Sequence, residues 1–155
     1  MSIREQAKEA KPLSSDEEMR KLAVELRLLE STAESLQSRI NFLNAAWAEL
    51  SLSKNTLEGL DKEKANTPLF VPIGGGSYVK AKLGAVDNVV YGVGAGVAIE
   101  KTLKESKQGV ENRLSDLEKA RLSMVQQLSQ VLNRIQEDQD RFQELSADLR
   151  KRERF

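Results

Sequence analysis

A chain of 155 residues with 24 basic and 24 acidic side chains has no net charge to draw it toward nucleic acid or an anionic membrane. It contains neither cysteine nor histidine, which excludes a disulfide framework, a Cys/His zinc site, a thiol nucleophile and a Ser-His-Asp triad. With 31% charged and only 5% aromatic residues, the composition suits long helices with narrow apolar seams better than a thick globular core.

Residues 1–13 read as a flexible N-terminal extension with no assigned role. They are rich in charge and lack the apolar stretch of a signal peptide. No later run approaches the eighteen or so apolar residues that span a bilayer, so a cytoplasmic location is expected.

Residues 14–66 are expected to form a coiled-coil helix. After Pro12, Ser14 with Glu17, or Ser15 with Glu18, has the spacing of a capping box. An apolar seam then advances in alternating steps of three and four: Met19, Leu22, Leu26, Leu29, Ala33, Leu36, Ile40, Leu43, Trp47, Leu50, Lys54, Leu57. Five heptads of this period point to a coiled coil, not to the surface helix of a globule.

Residues 67–101 have a different character. They hold seven of the nine glycines, together with Pro68 and Pro72. Apolar and alternating stretches at 69–73, 77–83, 89–93 and 97–101, separated by glycine-rich turns, predict two consecutive β-hairpins. Such hairpins are marginal alone, and their open edges invite pairing. About thirty residues cannot supply a core, so strands from several copies must complete a shared sheet or barrel. The residues expected to carry this oligomerisation are Phe70, Val71, Ile73, Val79, Ala81, Leu83, Val89, Tyr91, Val93, Val97 and Ile99.

Residues 102–155 repeat the helical pattern. Thr102 and Glu105 form a second capping box, and the seam runs through Val110, Leu114, Leu117, Arg121, Met124, Leu128, Val131, Ile135, Asp138, Phe142, Leu145 and Leu149. Arg121 and Asp138 interrupt it with charge, and Gly109 weakens the helix by about 1 kcal/mol relative to Ala. Each helical stretch spans about fifty residues, roughly 75 Å. Two helices of matched length joined by a short module fold back on each other, so the fold class is mainly α: a long antiparallel two-helix coiled-coil hairpin with two β-hairpins at the connection. Aligned from the turn, partner numbers sum to about 166, both termini meet at one end, and Trp47 lies near Arg121 for a cation–π contact.

The segments Leu69-Phe70-Val71-Pro72-Ile73-Gly74-Gly75-Gly76-Ser77-Tyr78-Val79-Lys80-Ala81 and Val93-Gly94-Ala95-Gly96-Val97-Ala98-Ile99-Glu100-Lys101 resemble the hairpin signature of the prefoldin alpha subunit, archaeal type. The helix–two hairpins–helix plan extends the similarity over roughly residues 14–152. The resemblance implies a heterohexamer of two alpha and four prefoldin beta subunits, with a β-barrel body and six projecting coiled coils. It also implies capture of unfolded polypeptides at the coil tips and delivery to a group II chaperonin without ATP. On that reading the client-binding residues are Leu13, Met19, Leu22 and Leu26, with Phe142, Leu145, Leu149 and Phe155, where the last turns of a two-stranded seam fray. The plainer reading makes most of them ordinary seam.

Other chemistries find no foothold. Gly92-Val93-Gly94-Ala95-Gly96 precedes a helix and Lys101-Thr102, but a P-loop requires Gly directly before Lys, and no parallel βαβ pattern surrounds it. Carboxylates such as Asp61 and Glu63 lie on solvated helix faces, and no carboxylate or lysine constellation converges, so no enzyme and no cofactor are expected. The competing function is a structural coiled-coil scaffold or tether without client binding.

Overall fold

A computed structural model describes residues 14–152. Helix α1 (Ser15–Lys62) leads into strands β1 (Pro68–Gly74), β2 (Ser77–Lys82), β3 (Asn88–Gly94) and β4 (Val97–Thr102), followed by helix α2 (Leu103–Arg152). The two helices pack antiparallel with the hairpins between them in the chain.

Both helices begin at the expected caps. The Ser14 amide donates to Glu17 Oε2 at 3.2 Å, and the Glu17 amide donates to Ser14 Oγ at 3.3 Å. At the start of α2 the Thr102 amide and hydroxyl both donate to Glu105 Oε2, while the Glu105 amide donates to Thr102 Oγ1. These bonds to side-chain oxygens satisfy first-turn amides that no helical carbonyl reaches. They also hold the Glu105 carboxyl below the usual carboxylate range, chiefly through the Thr102 amide. Helix α1 ends at Lys62, and the chain turns through Asn66, at φ 69°, into β1. Asparagine tolerates that left-handed conformation because its side chain hydrogen-bonds locally.

The hairpins are congruent. Strand β1 pairs with β2 from Pro68↔Lys82 to Gly74↔Ser77, and β3 pairs with β4 from Asn88↔Thr102 to Gly94↔Val97. Each register shifts once, between Pro72 and Gly74 and between Gly92 and Gly94. Even the closing bond recurs: Leu83 N–H donates to Thr67 O, and Leu103 N–H to Asp87 O. Every one of these positions in the second hairpin lies twenty residues after its counterpart in the first. The connecting residues Gly75-Gly76 and Ala95-Gly96 all have positive φ, the type I′ geometry whose twist matches the flanking strands. The two hairpins form separate two-stranded sheets and do not pair with each other.

The chain divides into two compact units. One contains α1 as far as Arg39 and α2 from Met124; the other is Ile40–Ser123. In the first unit Leu22, Leu36 and Leu145 are buried along the seam, and so is Asp138. Glu25–Arg134 and Glu18–Arg141 ion pairs cross between the helices there. In the second unit Ile40, Leu103 and Val110 are buried, and Lys54–Glu111 and Asp61–Lys107 are the crossing pairs. This second set agrees with the register anticipated from the turn.

One expected contact is absent. Trp47 is 44% exposed. The Arg121 guanidinium is instead bidentate to Glu118, with Nε–Oε2 at 2.9 Å and Nη2–Oε1 at 2.6 Å. A carboxylate one turn earlier on the same helix is within reach in any register, and a charge-assisted fork outweighs a ring face. The half-buried Arg121 occupies its seam position with its charge already neutralised.

Candidate functional site

Two surfaces stand out, one in each unit. The first is the hairpin module. Phe70, Val71, Ile73, Val79, Val93, Val97 and Ile99, all expected to mediate assembly, are exposed large apolar residues, joined by Tyr78 and Val90. Ala81, Leu83 and Val89 are half-buried. Exposed apolar side chains in this number, on both faces of two-stranded ribbons, are what an interaction surface presents.

Tyr91 differs from the rest, being buried. Its ring lies against α2 at Gly109, and the Arg113 guanidinium stands over it, 4.5 Å from the centroid. Lys101 Nζ lies 4.8 Å from the same centroid. Arg113 also donates from Nη2 to the Gly92 carbonyl at 2.8 Å, which ties β3 to α2. Beside Tyr91 runs a groove of about 640 Å³ whose lining includes Leu50, Leu52, Thr56 and the β3 residues Val89, Val90 and Gly92. Among the described residues strand β3 pairs with β4 alone, which leaves its second edge without a strand.

The second surface is the end of the helix pair in the first unit. Of the residues expected to meet clients, Leu22 and Leu145 are closed into the seam at 8% and 7% exposure. Met19, Leu26, Phe142 and Leu149 are half-buried, and Leu13 and Phe155 lie outside the described residues. The apolar side chains most open at this end are Val24 and Leu28, one turn apart and two positions after the seam residues Leu22 and Leu26. Seam periodicity passes over them; the signal that finds them is an i, i+4 apolar pair on a face that should be polar.

Asp138 occupies this end as well, 3% exposed. Its Oδ1 lies 3.1 Å from Arg134 Nε, while its Oδ2 has no hydrogen-bond partner. Burial, and then the neighbouring Glu25 carboxylate, push its carboxyl above the usual range against the opposing pull of Arg134. Among the described residues no cluster of side chains could hold a metal ion, and no helix is long and apolar enough to cross a membrane.

Comparison with known proteins decides the family. Residues 29–148 match the family described as "Prefoldin subunit". The chain belongs to the prefoldin family. Its relatives are prefoldin alpha subunits of archaeal type. The prefoldin subunit alpha of Pyrococcus horikoshii is 33% identical over 132 residues, covering 84% of this chain and 89% of that one. That of Archaeoglobus fulgidus is 28% identical over 139 residues, covering 90% and 99%. The solved structure described as filamentous PFD from Methanocaldococcus jannaschii superposes with a TM-score of 0.64 at 26% identity, over 73% of this chain and 93% of that one. As a prefoldin subunit the chain belongs to a chaperone family that is not enzymatic.

Proposed function

We propose that this prefoldin chain is the alpha-class subunit of an ATP-independent holding chaperone, assembled with beta subunits through its hairpins. Its helix pair would meet unfolded polypeptides at the end where both helices terminate. The observation that carries this reading is the set of exposed apolar side chains on the two hairpins, from Phe70 to Ile99, on ribbons with no core of their own. Open strand edges beside apolar side chains are completed by further strands. Two congruent hairpins in one chain support an assembly in which each alpha subunit engages two beta subunits, giving two alpha with four beta. Delivery of clients to a group II chaperonin and a cytoplasmic location follow from the same reading.

Client contact is a matter of apolar area. Each square ångström removed from water contributes about 25 cal/mol, without directional demands, so binding is broad in sequence and reversible. Several helix ends acting on one client raise affinity through effective concentration.

The test has two steps. The chain is mixed with a prefoldin beta subunit and the assembled mass is measured; a stable lone monomer would contradict assembly. Residues 1–26 and 142–155 are then deleted, and suppression of aggregation of a denatured client is measured at equal assembly. Unchanged suppression would remove the helix ends from the mechanism. The closed seam at Leu22 and Leu145 favours a second reading, a coiled-coil scaffold without client binding, and the same truncation separates the two.

A further inference from the structure

Two of the seam residues that a client would need, Leu22 and Leu145, are shut between the helices, and a charge is shut in with them. Asp138 lies on the α2 seam between Ile135 and Phe142, in the unit where Leu22 and Leu145 are both buried. Among the described residues its cationic partner is Arg134, which is shared. The same guanidinium takes Glu25 of α1 at 3.1 Å and Glu137 at 3.7 Å, so one positive charge answers three carboxylates. The next cation along, Arg141, is engaged by Glu18 at 2.8 Å and Glu144 at 3.4 Å. Among the described residues Asp138 Oδ2 has no hydrogen-bond partner. A buried charge with a shared partner and an orphaned oxygen is one whose desolvation is not recovered. Parting the helices returns it to water, which opposes the apolar contacts holding the seam shut.

We infer that Asp138 is a built-in release point of the helix pair: its buried charge lets the ends part and brings the seam around Leu22, Phe142 and Leu145 within reach of an unfolded chain. This deepens the client-holding reading and rests on it. The direction of the Asp138 protonation shift agrees, since a carboxyl that resists ionisation is one whose ionised form the folded state disfavours. A purely structural role is the competing explanation. A polar seam residue fixes register in many coiled coils, and such a role would not couple to client holding.

The experiment uses the full chain assembled with a beta subunit, in three forms: unchanged, Asp138→Leu and Asp138→Asn. Asp138→Leu completes the apolar seam and leaves Arg134 paired with Glu25 and Glu137, so it orphans no charge. Hydrogen exchange over residues 15–29 and 131–150 should slow about tenfold in Asp138→Leu, with Asp138→Asn between the two. Suppression of client aggregation should fall in the same order. Unchanged or faster exchange in Asp138→Leu would overturn the proposal, as would slowed exchange with suppression fully retained. The truncation of residues 1–26 and 142–155 keeps the two readings distinguishable. If truncation abolishes suppression while Asp138→Leu leaves it intact, only the release point fails; if truncation leaves suppression intact, the client site itself fails.

Discussion

The Tyr91 ring and Gly109 meet so closely that a Cβ on Gly109 would stand 2.7 Å from the phenolic oxygen and 2.9 Å from the ring carbon that bears it. A glycine that weakens a helix by about 1 kcal/mol is therefore the seat that lets the second hairpin dock on α2. Gly109→Ala should improve the isolated helix yet displace a buried ring, with overpacking worth about 1–3 kcal/mol. The expected net effect is destabilisation of up to about 2 kcal/mol and faster amide exchange in β3 and β4. In Gly109→Ala/Tyr91→Ala the two losses should be less than additive, which a double-mutant cycle reads directly.

Acidity should act on the two helix sites in opposite senses. The Asp138 carboxyl titrates above its unfolded value. Its folded form therefore gains stability as pH falls through that raised value, and loses it as pH rises back through the window above the ordinary carboxyl range. Exchange in residues 131–150 should slow as pH is lowered from neutrality, after correction for intrinsic rates, and Asp138→Asn should remove that dependence.

Glu105 is depressed, so the stabilisation from its bonds to Thr102 is present above the ordinary carboxyl range and lost as pH falls through the lowered value. Thr102→Ala removes the side-chain half of this cap and should destabilise the start of α2 by about 1 kcal/mol. The measurement is exchange of the first-turn amides of α2 near neutral pH; a loss confined to acidic conditions would contradict the cap.

Ala95 holds φ at 50° in the turn where the first hairpin has Gly75. A left-handed alanine costs about 1–2 kcal/mol, offset in part by the larger chain entropy of glycine. Ala95→Gly should stabilise the second hairpin by up to about 1 kcal/mol, and Ala95→Val should weaken it, as thermal unfolding of the assembled protein would report.

Much of the fold is legible in the residues. A seven-residue repeat determines which side of each helix is dry whatever the register, and Ser14, Glu17, Thr102 and Glu105 mark the starts because capping is local chemistry. The hairpins are equally local: glycines at the turn positions and alternation on either side. What escapes is whatever depends on which turn of one helix faces which turn of the other. The partner of Arg121 is its own Glu118 and not Trp47, and the crowding of Asp138 by Glu25 appears only when the helices are aligned. Gly109 reads as a defect because its purpose lies in a tyrosine on another element. The client surface is the least legible, since a fraying seam and a closed one share a single apolar pattern; only the structure separates the shut Leu22 from the open Val24 and Leu28.

The twenty-residue recurrence of the hairpins has a consequence for how such subunits are supplied. Val71 and Tyr91 occupy corresponding places in the two copies, yet Val71 is exposed while Tyr91 is clamped to its own helix. Equal ribbons with unequal moorings give the chain a head and a tail: one copy is braced from within, the other waits on a neighbour for its covering. In the proposed assembly a chain supplied without its partners would leave β1 and β2 uncovered, while β3 and β4 keep their mooring on α2 through Tyr91 and Arg113.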